Sequence, residues 1–268
     1  MNKSVKQNGL ERNILKMLKG KPLQAAQMLF ADPELQAMQE YANIVSIKRL
    51  GYNDHGPVHM RKATLNAIKM FKLLHDAGIK MSLEKEGAGT DEDSLMGILF
   101  ASLLHDLGMS VARHNHELIS IQLAIPFIER ILDAILPPDD HMTKAAIRSI
   151  AIEGIFGHMA SQQIHSLEAG LVLIGDGSDM EKGRARIPTI LSSEPRIGDI
   201  HRTSAGAIQK VVIAKGAEKP ISITVEMSAS VGFFQVEEVL FPKINKSPVK
   251  PYIELYARVI DRELLRYL

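Results

Sequence analysis

The stretch Leu95-Met96-Gly97-Ile98-Leu99-Phe100-Ala101-Ser102-Leu103-Leu104-His105-Asp106-Leu107-Gly108 carries an apolar run straight into a histidine beside a carboxylate. Such a run reads as a buried helix, with Asp93 or Ser94 as its cap. It sets two metal-ligating side chains against a dry wall, where a cation is their natural partner. Standing alone, such a dipeptide is more often a satisfied core pair. Its weight comes from His59 upstream and Asp176 downstream, each set in an apolar periodic segment of its own.

Working outward, the chain reads as mainly α, with a small α+β segment at its C-terminal end. Leu10, Ile14, Leu15 and Leu18, then Leu35, Met38, Tyr41, Ile44 and Val45, recur at helical spacing. Asp32-Pro33-Glu34 opens the second of these helices with a cap and a first-turn proline. Gly51 to Asp54 breaks the pattern, and Pro57 starts a long helix that stops near Gly78. Glu84 to Asp93 reads as an exposed loop. Helices are expected at Glu117–Leu136 and Thr143–Phe156, separated by Pro137-Pro138, and again over Ile164–Glu181, with Asp176 and Asp179 one turn apart.

Beyond Gly183 the character changes. Ile187 to Ile200 reads as a linker, Val211–Ile213 and Ile221–Val225 as strands around a turn bracketed by Gly216 and Pro220, and Val231–Ile244 as a helix packed on them. Tyr252–Ile260 is expected as a third strand and Arg262–Leu268 as a helical end. The division that follows is a helical domain over 1–200 and an accessory α+β domain over 201–268.

Composition excludes several classes of function. The 268 residues, 46% of them hydrophobic, are enough for one substantial core. Lys and Arg number 32 against 31 Asp and Glu, a net charge of +1, so no surface suited to coating nucleic acid is expected. There is no cysteine, which rules out disulfides, thiolate nucleophiles and zinc-cysteine sites; any metal must be held by histidine and carboxylate. No apolar stretch approaches the roughly 20 residues of a membrane span, and the first residues are too polar for a secretory signal. A soluble, cytoplasmic protein is the expectation.

The chain has ten histidines, several at the ends of apolar helices. His55 and His59 lie four apart across Pro57 and face the same way if that helix begins early enough. His116 opens the helix after the Gly108 break, and His158 closes the apolar stretch Ile150–Phe156. Asp176 lies between Gly175 and Gly177, where a close backbone or ligand would explain both the small neighbours and the buried charge. A helical bundle can gather such ends into one polar pocket. The duplicate pair His75-Asp76 competes with His105-Asp106. A step of about 100° per residue puts His75 on nearly the opposite side of the helix from His59, however, so it reads as a helix C-terminus favoured by the dipole.

The series His59-x-Arg61, His105-Asp106-x-Gly108, His116, His158 and Asp176-x-x-Asp179 resembles the HD superfamily of metal-dependent phosphohydrolases over residues 50–186. The resemblance implies that His59, His105, Asp106 and Asp176 hold one divalent ion, that His116 and His158 serve a second, and that Asp106 bridges the two and is the catalytic carboxylate. His55 is an additional candidate, and Asp179 either orients a ligand or caps a turn. Many relatives carry a lysine directly after His-Asp-x-Gly, where this chain has Met109. The Gly-Tyr-Pro tripeptide of one subfamily is absent, and Met159 follows His158, which argues against cyclic dinucleotide hydrolysis. Arg184 and Arg186 are then the candidates for binding substrate phosphate, or else a solvated helix end.

The activity so implied is hydrolysis of a small-molecule phosphomonoester or phosphodiester, in particular of a nucleotide, by water activated on one or two divalent transition metals. All-nitrogen and oxygen ligation suits Mn, Fe, Ni, Co or Zn. Two alternatives stand beside it. One is a di-iron oxygenase on the same scaffold. The other is a non-catalytic metal- or nucleotide-binding regulator whose C-terminal domain mediates a homodimer.

Overall fold

The computed structural model describes residues 3–181 and 200–268. The helical part contains α1 (Val5–Met17), α2 (Gly20–Ala31), α3 (Pro33–Ile44), α4 (Pro57–Asp76), α5 (Ser82–Lys85), α6 (Asp91–Leu104), α7 (His116–Ile135), α8 (His141–Gly157) and α9 (Leu167–Gly177). After it come α10 (Ile200–Ala207), β1 (Ile208–Lys215), β2 (Ile221–Met227), α11 (Phe233–Gln235), α12 (Phe241–Lys246), β3 (Ile253–Val259) and β4 (Leu265–Arg266). The protein is thus mainly α with a C-terminal α+β part. Among the described residues, no helix is long and apolar enough to cross a membrane.

Local chemistry sets the helix boundaries. Asp32 caps α3, its carboxylate accepting from the amides of Glu34 and Leu35 at 2.9 and 3.0 Å, and Pro33 occupies the first turn. The first apolar stretch forms two helices before α3, because Lys19 is extended and Gly20 sits at φ 59°. The stretch expected as an exposed loop, Glu84 to Asp93, overlaps the end of the short α5 and the first turn of α6, where Asp93 is buried. The cap of α6 is Thr90, not Asp93 or Ser94: the Thr90 hydroxyl accepts from the Asp93 amide while the Asp93 carboxylate accepts from the Thr90 amide at 2.9 Å. That reciprocal box satisfies two orphan amides at once, which a cap one residue inside the helix could not do.

Within the bundle, α6 is enclosed by α4, α8 and α9, and its residues from Asp93 to Leu104 are buried. The α4–α9 contact is a close one. A Cβ built on Gly175 would stand 2.8 Å from the carbonyl oxygen of Ala63 and 3.1 Å from the Cβ of Ala67. The small residue beside Asp176 is therefore what lets the two helix backbones approach.

The sheet has the order β1-β2-β3-β4, with β1 and β2 antiparallel, β2 and β3 parallel, and β3 and β4 antiparallel. Ile221, Ile223, Val225 and Met227 alternate inward along β2, as a half-buried strand requires. The parallel step from β2 to β3 crosses through α11, a π-helical turn (Val236–Leu240) and α12. One hydrophobic core runs without a gap from Leu10 through the bundle to Ala257 on β3.

The expected helical end at Arg262–Leu268 is instead the edge strand β4. Asp261, at φ 64°, reverses the chain; Leu265 and Arg266 then pair with Ala257 and Tyr256, and the Tyr267 amide donates to the Leu255 carbonyl at 2.8 Å. Seven residues with one turn of helical spacing cannot compete with an open sheet edge beside them. The linker expected over 187–200 lies, apart from Ile200 at the start of α10, outside the described residues.

Candidate metal centre

Each member of the site stands at a helix end. Pro57 starts α4 and sets His59 in its first turn; His105 is the C-terminal cap of α6, with Asp106 next to it. His116 is the first residue of α7, reached through Asn115 in a left-handed conformation at φ 56°. His158 caps the C-terminus of α8, and Asp176 is the next-to-last residue of α9. The C-terminal ends of α6 and α8 carry partial negative charge, which favours a cation between them.

All four imidazoles are oriented in the same way. Nδ1 of His105, His116 and His158 donates to the carbonyl oxygens of Ser102, Arg113 and Ile155, at 3.0, 2.9 and 2.6 Å. Nδ1 of His59 donates to the Asp179 carboxylate at 2.7 Å. Because these partners only accept, Nδ1 keeps its proton, and each ring, when neutral, presents the lone pair of Nε2. Those lone pairs converge: Nε2 of His59 and His105 are 3.2 Å apart, and Nε2 of His116 and His158 are 3.0 Å apart.

Asp106 lies between the two pairs. Its Oδ2 is 3.4 Å from His59 Nε2 and 3.2 Å from His105 Nε2, and its Oδ1 is 3.2 Å from His116 Nε2 and 3.6 Å from His158 Nε2. Oδ1 of Asp176 completes the first group, 3.1 Å from His59 Nε2 and 3.8 Å from His105 Nε2. His59, His105, Asp106 and His158 are buried, as are His116, Asp176 and Asp179. Two groups that can hold an ion result, His59-His105-Asp106 and Asp106-His116-His158, with Asp106 common to both.

A metal fits this donor set. Ligand atoms about 2.0–2.1 Å from one ion, at tetrahedral or octahedral angles, stand about 2.9–3.4 Å from each other; most of these separations fall in that range, and His158–Asp106 and His105–Asp176 are wider, at 3.6 and 3.8 Å. Oδ2 of Asp106 is buried without a hydrogen-bond partner among the described residues, so an ion would supply what the protein does not. Burial alone would raise the Asp106 carboxyl, but the imidazoles of His105, His55 and His116 around it hold it well below the usual carboxylate range. Burial opposes ionisation of Asp176 as well, and the Lys243 ammonium and His59 overcome it. His158 is pushed down to about 4 by burial, despite Asp106. His116 is raised: burial would lower it, but its hydrogen bond and charge contact with Asp106 prevail.

The other sequence-derived candidates divide. Asp179, past the end of α9, orients His59 with its carboxylate, and its amide donates to the Asp176 carbonyl oxygen at 3.0 Å. His55 stands beside the cluster with its ring 5.8 Å from that of His59, and its Nδ1 meets the Asn53 carbonyl oxygen at 2.7 Å and the Ser46 hydroxyl at 2.9 Å; it belongs to neither ion-holding group. Arg184 and Arg186 lie outside the described residues. His75 is exposed at the end of α4, away from His59, and pairs with Asp91 at 3.0 Å. Arg61, on the series with His59, is buried and turned from the cluster. It bonds Glu11 at 2.7 Å, Gln39 at 2.7 Å and the Pro57 carbonyl at 3.1 Å, which ties α1 and α3 to α4.

One residue at the site has no signal in the sequence. Lys243, on α12, forms an ion pair with Oδ2 of Asp176 and donates to the carbonyl oxygen of His158 at 2.9 Å.

Fold and site together define a mainly helical protein with a buried histidine–aspartate cluster able to hold metal. The chain belongs to the family of the uncharacterized protein MJ1020 of Methanocaldococcus jannaschii. It is 40% identical to that protein over 249 residues, a match covering 91% of this chain and 92% of the relative. No family model matches the sequence. No solved structure matches it either.

Proposed function

We propose that the chain is a metal-dependent phosphohydrolase of the HD type, hydrolysing a phosphomonoester or phosphodiester, with a nucleotide as the substrate class that the resemblance implies. The observation that carries this reading is Asp106, with one carboxylate oxygen turned to each of two histidine pairs. Divalent transition metals bound there, whether Mn, Fe, Ni, Co or Zn, would polarise a phosphoryl oxygen and bring the pKa of coordinated water towards about 7.

The chain's own residues prepare that chemistry. The four Nδ1 hydrogen bonds fix the rings before any ligand arrives, so little reorganisation is left to the reaction. Asp106 would be shared between the two ions, and Asp176 would add a ligand oxygen beside His59 and His105. The apolar faces of α6 and α9 keep bulk water from the inner side, which strengthens each electrostatic contact in the cluster.

The test is a panel of phosphomonoesters and phosphodiesters assayed with Mn, Ni, Co and Mg in parallel, on the wild type and on the double variant His105→Ala with Asp106→Ala. Metal-dependent phosphate release by the wild type, with loss of both metal and turnover in the variant, is expected. Full turnover in the variant would refute the assignment. So would oxygen-dependent substrate loss without phosphate release, the behaviour of an oxygenase.

A further inference from the structure

We propose that Lys243 binds a phosphoryl oxygen of the substrate beside the metal centre, so that the C-terminal segment completes the active site; this rests on the phosphohydrolase reading above. Lys243 is 67 residues beyond Asp176 in sequence, yet its ammonium pairs with Asp176 Oδ2 and donates to the His158 carbonyl oxygen at 2.9 Å. Asp176 turns its other oxygen, Oδ1, towards His59 and His105. The ammonium therefore pairs with the Asp176 oxygen other than the one facing the imidazoles, beside the cluster and outside the two ion-holding groups.

Three further observations point the same way. An ammonium has three N–H donors; two meet Asp176 and His158, and the third has no acceptor among the described residues. The stem of Lys243 occupies room left by a glycine: a Cβ on Gly177 would stand 2.8 Å from Lys243 Cδ. Lys246, one turn on, holds α12 in place by donating to the Ala160 carbonyl oxygen at 2.7 Å. A long cationic side chain, delivered through a gap kept open for it and held on both sides, has one donor to spare at the edge of a phosphate-ester site. Position 109, directly after the His-Asp-x-Gly run, carries a buried, uncharged methionine, so no charge comes from there.

The experiment uses the full chain loaded with Co(II), whose absorption spectrum reports its ligands, and inorganic phosphate as the probe. Lys243→Met is expected still to take up Co(II), since a bound cation itself favours the ionised Asp176, and to bind phosphate roughly ten- to a hundredfold more weakly, the loss of one charge-assisted hydrogen bond. Lys243→Arg keeps the charge and should bind phosphate within about threefold of the wild type. Gly177→Ala, which crowds the lysine stem, should weaken phosphate binding while leaving Co(II) uptake intact, and it carries the test if Lys243→Met does not fold. Unchanged phosphate affinity in Lys243→Met, or in Gly177→Ala if that variant stands alone, would overturn the proposal. So would loss of Co(II) together with phosphate, which would make Lys243 only a positioning partner of Asp176. A wild type that takes up no Co(II) would overturn the metal reading itself, an outcome distinct from the other two.

Discussion

At the scale of single residues, the site is governed by where protons sit. Asp179 keeps the proton of His59 on Nδ1, 2.7 Å away, so Asp179→Asn is expected to weaken metal binding roughly ten- to a hundredfold. Competition against a chelator measures this, and an unchanged affinity would contradict the role. His158 gives a pH signature in the metal-free protein. Burial holds its imidazole near about 4, below the ordinary value of about 6.5. The neutral ring's contribution to stability is thus present above about pH 6.5 and is lost as the pH falls through 4. Nitrogen-15 NMR of the imidazoles should show the His158 midpoint near 4, with His116 titrating above an ordinary histidine; a His158 midpoint at 6.5 would contradict the burial argument. The histidines and aspartates were legible in the sequence because a ligating side chain at the end of an apolar segment needs a partner. Lys243 was not: an isolated lysine on a short helix looks like any solvated cation until the fold brings it to Asp176.

At the scale of elements, the fold is held to the site by small residues and caps. Gly175→Ala would drive a Cβ into the Ala63 carbonyl, backbone that cannot turn aside, and is expected to cost about 1–3 kcal/mol. Thr90→Ala removes the box at the start of α6 and should cost about 1 kcal/mol. Denaturant unfolding reads both, and wild-type stability in Gly175→Ala would refute the close α4–α9 contact. Periodicity and prolines made α3, α4, α7 and α8 readable, since Asp32-Pro33, Pro57 and Pro137-Pro138 mark boundaries that few other residues could make. The cap of α6 was misplaced by a few residues, because Thr90, Asp93 and Ser94 are all capping types and only the reciprocal bonds choose between them. The terminal strand was hidden for another reason. Pairing with β3 is a long-range interaction, and the local pattern of Arg262–Leu268 carries no trace of it.

At the scale of the whole molecule, the bundle and the sheet share one core, and α12 reaches the histidine–aspartate cluster from the C-terminal part through Lys243. A single cooperative unfolding transition is therefore expected by calorimetry, moving upward in temperature as metal is added. Two separate transitions would show that the two parts fold independently. The central claim, a centre for two ions joined by Asp106, is tested most directly by metal content at saturation, in the wild type and in Asp106→Asn. The account predicts about two transition-metal ions per chain in the wild type, one for each histidine pair, and their loss in the variant. A wild type that retains no ion, or an Asp106→Asn chain that retains both, would contradict it.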